Sequence, residues 1–167
     1  MAVKVKLSEI LDALEFLNDE TEYYLDKATG RVHLLTPDAT VAVEADDPIE
    51  DYPEWQREAI KIARRVEEGD DDLIGLPTQW DIHEYQIMSD FCDSLGEGTV
   101  QDALFIAIRG AGAFRRFKDA IHTFDVADDW YHYRQMRFKA IAADWCQAHA
   151  LAYVDDTAKE PGPGVGQ

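Results

Sequence analysis

The 167 residues carry 34 acids against 16 lysines and arginines, a formal net charge of −18. That charge disfavours nonspecific binding of the chain as a whole to nucleic acid or an anionic membrane. The 46% hydrophobic and 11% aromatic residues suffice for one domain, or two small subdomains, with a real core. No apolar run approaches the roughly 20 residues that span a bilayer, and no charged-then-apolar leader is recognisable, so a cytoplasmic protein is expected.

Ser8 is a plausible N-cap, and Ile10, Leu11, Leu14 and Leu17 follow at helical spacing, which predicts a helix over about 8–18. Tyr23, Tyr24 and Leu25 favour a strand, DKATG is turn chemistry, and Val32, Leu34 and Leu35 favour a second strand. This predicts a hairpin with Gly30 taking a positive φ. Thr40 to Glu44 alternates weakly and reads as a third strand. Trp55, Ala59, Ile62, Ala63 and Val66 predict a helix from Glu54 to Glu68, capped by Gly69. DDDLIGLPTQW reads as a loop or short extended segment.

Asp81 with Glu84 three residues on resembles a capping box, and opens a helix whose apolar face is Tyr85, Met88, Phe91, Cys92 and Leu95. Thr99 with Asp102 starts VQDALFIAIR, apolar almost all round and therefore expected to be central and buried. Phe114, Phe117, Ile121 and Phe124 predict a short helix. Asp128 or Asp129 caps the last and longest one, with Tyr131, Phe138, Ile141, Ala142 and Trp145 along one stripe. The expected fold is α+β, a small N-terminal antiparallel hairpin or sheet with a mostly helical C-terminal two thirds. One domain is expected over 1–156, with possible subdomains 1–70 and 79–156, and a disordered tail over 157–167. The expected core is Leu14, Leu25, Trp55, Ile62, Tyr85, Phe91, Leu104, Ile106, Phe114, Phe117, Ile121, Phe138, Ile141 and Trp145.

Charge is distributed unevenly. From Pro37 to Ala103 there are 19 acids and four bases, whereas from Leu104 to Ala150 there are seven bases and five acids. The two regions either face each other within the molecule or mark distinct binding surfaces. Arg109 to Arg116 places glycine-permitted backbone just before a helix, where exposed amides and arginines attract anions. Arg134 and Arg137 lie one turn apart on the next helix, with Trp130, Tyr131 and Tyr133 beside them as stacking surfaces. The candidate anion- or partner-binding set is therefore Arg109, Arg115, Arg116, Trp130, Tyr131, Arg134 and Arg137.

Signals for chemistry are sparse. Cys146 and His149 are three apart on a helix, but zinc takes three or four such ligands, and His122 and His132 would have to converge from elsewhere. Asp70 to Asp81 has acids at positions 1, 3 and 12 of a calcium-loop pattern and Gly75 at position 6, yet Ile74, Thr78 and Pro77 break it. Cys92 and Cys146 sit in apolar patterns and read as reduced core thiols. No nucleophile elbow, Walker lysine or dinucleotide fingerprint occurs. No cofactor and no metal are expected.

Three stretches carry a family resemblance: YYLDKATGRV, LPTQWDIHEYQIMSDF, and GAFRRFKDAI followed by DDWYHYRQMRFKAIAADWCQAHAL. On these residues the chain resembles the bacterial uncharacterised protein family 0158, over about Val5 to Tyr153. The resemblance implies a small cytoplasmic protein and carries over no active site. The resulting expectation is a non-catalytic interaction module that meets a protein or nucleic-acid partner through its arginine and aromatic surface. The alternatives are an acidic, polyanion-mimicking face at Glu44–Glu54 and Glu67–Asp72, and a metal-assisted hydrolase.

Overall fold

The computed structural model describes residues 3–157. Except for Thr157, the expected tail lies outside the described residues. The chain is α+β, with a three-stranded antiparallel sheet near the N-terminus and a mostly helical remainder. Two compact units divide it, one drawn from Met1–Gln79 and Ala142–Gln167, the other from Trp80–Ile141.

In the first unit, β1 (Val5–Lys6) leads directly into α1 (Leu7–Glu15). Leu7, Ile10, Leu11 and Leu14 are buried, as a helical period requires. Ser8 is not the N-cap; Lys6 holds that position and makes no side-chain cap bond. The carboxylate of Asp156 fills the role instead, accepting from Ser8 N at 2.9 Å and Ser8 Oγ at 2.5 Å. These bonds hold the Asp156 carboxyl below the usual carboxylate range. A negative charge there also meets the positive end of the helix dipole. Just before it, β5 (Tyr153–Val154) pairs in parallel with β1.

The hairpin forms as expected, from β2 (Glu22–Asp26) and β3 (Arg31–Leu35). Gly30 has φ +74, and a Cβ there would lie 2.7 Å from Val3 Cγ1, so any other residue would be strained and would displace Val3. The expected third strand over Thr40–Glu44 is instead α2 (Pro37–Glu44). Thr36 Oγ1 accepts from Ala39 N, Pro37 opens the first turn and Asp38 faces the dipole, and these start signals override a weak alternation. The third strand is β4 (Leu73–Gly75), which gives the order β3-β2-β4. After a 3₁₀ turn at Ile49–Asp51, α3 (Glu54–Glu67) packs on α2 and β3. Leu35, Ala39, Ala42, Val43, Ile60 and Ala63 form the apolar cluster between them.

Asp26 is the one buried charged residue among the described residues. Arg65 of α3 reaches it at 2.9 Å and reaches Asp70 at 2.7 Å with its other edge. Asp26 also accepts from Ala28 N within the hairpin turn. The Arg65 hydrogen bond, opposed by burial, holds the Asp26 carboxyl below its ordinary value. A buried carboxylate in this position requires such a partner.

The second unit is helical. The predicted helix from Asp81 is two, α4 (Gln79–Ile82) and α5 (Glu84–Ser94), separated at His83, which has φ 54. After α6 (Thr99–Ala107) come α7 (Ala113–Thr123) and α8 (Ala127–Ala148). Asp128 and Asp129 lie inside the first turn of α8 rather than capping it. Phe91, Phe117 and Trp130 pack edge to face with centroids 4.8 to 6.3 Å apart. Each such pair contributes about 0.5–1.5 kcal/mol beyond the area it buries. Gln101 Nε2 donates to Cys92 O and Tyr85 Oη to Ile108 O, tying α5 to α6 and to its C-terminal end.

Of the expected core, Leu14, Leu25, Ile62, Phe91, Leu104, Phe117, Ile121 and Phe138 are buried, and Ile141 and Trp145 are half-buried. Trp55, Tyr85, Ile106 and Phe114 are exposed instead. Leu104, Ala107 and the adjoining Ile108 are buried at α6, but with Ile106 exposed this helix is not the buried centre that its composition suggested. Apolar composition on all sides of a helix does not supply neighbours on all sides.

Candidate functional site

The arginine and aromatic set on the second unit divides when its contacts are traced. Arg116 turns back along its own chain. Its Nε donates to Ala107 O at 3.0 Å, and its terminal nitrogens donate to the carbonyls of Arg109 and Ala111. It thereby satisfies the last carbonyl of α6 and two carbonyls of the turn that follows. Gly112, with φ +79, lets the chain turn beneath that guanidinium.

Arg134 Nε lies 2.6 Å from Glu84 Oε1, and its guanidinium stacks 4.2 Å over Phe138. Arg137 bonds Asp90 at 2.8 Å and the Tyr133 hydroxyl at 2.9 Å. The Arg137 hydrogen bond holds the Asp90 carboxyl below its usual range. These are contacts between the basic segment and the acidic middle of the sequence. Trp130 is only 5% exposed, so its ring belongs to the aromatic core and offers no stacking face. Arg109, Arg115, Lys118, Phe114 and Tyr131 are exposed, and among the described residues no ion pair or hydrogen bond engages the cationic groups of Arg109, Arg115 or Lys118.

Among the described residues no three His, Cys, Asp or Glu side chains gather as a metal site would require. The calcium-loop pattern is occupied by structure: Asp70 accepts from Arg65 and from Asp72 N, and Leu73–Gly75 is strand β4. Cys146 is buried, whereas His149 is exposed with its ring 5.0 Å from that of Trp145. Burial pushes both thiols up to about 11, which leaves them protonated and unreactive near neutrality.

A concavity lies on the first unit. It is a groove of about 720 Å³ bordered by β3, α2 and α3. Its apolar surface includes Leu34, Val41, Ala59 and Trp55, the last 78% exposed. Asp38 and Glu58 lie in its lining, and no lysine or arginine does. Leu34 also lines a shallower hollow against α1, with Phe16, Glu9 and Asp12. Leu34 is common to the two hollows, and each has carboxylates in its lining. Between Pro37 and Glu58 there are eight acids and one base, Arg57, whose guanidinium is taken up by the carbonyls of Tyr52 and Glu50. No carboxylate there is neutralised by it. The volume suits a ligand-sized or side-chain-sized guest, and exposed apolar surface with a polar rim marks a docking site.

Sequence reasoning missed this groove because it assigned Trp55 to the core. The signal was present in part: Trp55 stands at the second position of α3, ahead of the residues that are buried against the sheet and α2.

The model of the uncharacterised protein family UPF0158 matches residues 2–162, nearly the whole chain. The chain belongs to UPF0158. No curated protein and no solved structure matches it. The UPF0158 match covers both the groove and the arginine-rich helices, and among the described residues no helix is long and apolar enough to cross a membrane.

Proposed function

We propose that this UPF0158 chain is a non-catalytic interaction protein that docks a basic, apolar segment of a protein partner in the groove between β3, α2 and α3. The observation that carries the reading is a solvent-exposed tryptophan at an apolar groove whose lining has carboxylates but no cation. Apolar side chains on the partner would cover Trp55 and Val41, and lysine or arginine would meet Asp38 and Glu58. The surrounding acids would speed encounter with such a partner and repel acidic ones. This combines the docking role with the acidic-face alternative. A cytoplasmic setting is part of the proposal, and two free, buried thiols fit it.

A second reading keeps the basic surface of the second unit, reduced to Arg109, Arg115, Lys118, Phe114 and Tyr131. The supporting observation is that these cations are exposed and unengaged while Arg116, Arg134 and Arg137 are held internally. An acidic protein segment or a nucleic acid is the chemistry that it would accept.

Tryptophan emission tests the first reading. A lysine–valine peptide should change emission of the wild type and not of Trp55→Ser, while a glutamate–valine peptide of equal length should leave both unchanged. An equal response from Trp55→Ser, or a response to the acidic peptide alone, would displace the groove in favour of the second unit.

A further inference from the structure

The groove borders a sheet edge that, among the described residues, carries no further strand. Strand β3 is outermost in the order β3-β2-β4. His33 and Leu34 are consecutive in β3, so their side chains point to opposite faces of the sheet. Both line the groove. The groove therefore borders β3, the outermost strand.

The direction of the main-chain groups follows from the ladder. Tyr23 O accepts from Leu76 N at 2.9 Å, so the main chain of Tyr23 faces the β4 side of β2. Lys27 N donates to Asp72 O at 2.8 Å, on the same side. Alternate residues of a strand face opposite edges, so Glu22, Tyr24 and Asp26 face β3. Their partners there are Leu35, His33 and Arg31. The intervening Val32 and Leu34 therefore aim N–H and C=O away from β2, at the open edge. Among the described residues no hydrogen bond engages those groups. Unpaired strand edges accept a further strand readily.

We infer that the groove takes its partner as an added β-strand. An extended segment pairs with the outward N–H and C=O groups of Val32 and Leu34. Its alternate apolar side chains enter the groove beside Trp55, and its intervening lysines or arginines meet the acidic rim. The inference rests on the docking reading above and adds the conformation of the guest. A helical guest in the same groove would leave the edge unpaired.

The test uses the full chain and a seven-residue peptide of alternating lysine and valine. Two isomers are N-methylated, one at alternate amides and the other at the intervening ones. In an added strand only one set of amides faces β3. One isomer should lose about tenfold or more in affinity, as expected for two or three blocked backbone hydrogen bonds, while the other binds like the parent. The Val32 and Leu34 amides should exchange more slowly only when the parent peptide is present. Two isomers that bind equally well at Trp55 would overturn strand addition and leave the docking reading standing. A parent peptide without effect on Trp55 would remove both. Slow exchange at Leu34 in the peptide-free protein, with dimers in sedimentation, would overturn the inference in favour of a second copy on that edge.

Discussion

Replacing Arg65 by methionine keeps the aliphatic stem and removes the cation that Asp26 faces. Asp26 is 5% exposed, and its Arg65 bond is 2.9 Å long. Ala28 N would remain as its partner within the hairpin turn. Breaking a buried pair from one side costs about 3–5 kcal/mol. The Arg65 side chain is 30% exposed, so water partly replaces it, and the expected loss is about 2–3 kcal/mol. Asp70→Asn removes only the solvent-facing half of the network and should cost much less. The pH dependence has a definite sign. The Asp26 carboxyl is lowered in the folded state, so its contribution is complete above the unfolded value of about 3.9 and is lost as pH falls through the folded value. Urea denaturation followed by circular dichroism should therefore show a wide gap between wild type and Arg65→Met at neutral pH that narrows below about pH 4. A loss no larger than that of Asp70→Asn, or a gap independent of pH, would refute the reasoning.

Asp156→Ala should cost about 1 kcal/mol by uncapping α1, and amide exchange at Ser8 should accelerate with it. Exchange at Ser8 that stays unchanged would mean the cap is dispensable. Arg116→Met should free the carbonyls of Ala107, Arg109 and Ala111, with a loss of about 1–2 kcal/mol and faster limited proteolysis around Gly110–Gly112. Protection equal to wild type would place the corner's rigidity elsewhere. Cys92 and Cys146, raised to about 11 by burial, should react with a thiol reagent at pH 8 only as fast as the chain opens. Reaction at the rate of a free thiol would contradict their burial.

Much of the fold was legible because local chemistry decided it. Ile10, Leu11 and Leu14 gave α1 by period, Gly30 gave the hairpin turn, and Phe117 and Ile121 marked the buried face of α7. The failures lay where distant residues decide. Ser8 has cap chemistry, but its partner is 148 positions away at Asp156. Thr40–Glu44 alternates weakly, but Thr36 and Pro37 carry a helix start signal that outweighs it. The arginines were read by type, and type does not reveal that Arg116 would fold back onto carbonyls or that Arg134 and Arg137 would find Glu84 and Asp90. Trp55 is exposed where a core position was expected, because periodicity gives the face of a helix but not where its neighbours end. The open edge of β3 could not be read without knowing that β4, rather than residues 40–44, completes the sheet.

Amide shift mapping of the lysine–valine peptide on the full chain tests the central claim most directly. The account predicts shifts that saturate together at Leu34, Val41 and Trp55, shrink in Asp38→Asn/Glu58→Gln, and leave Phe114 and Arg115 unmoved. Shifts centred on Phe114 and Arg115, or none at the groove at saturating peptide, would contradict it.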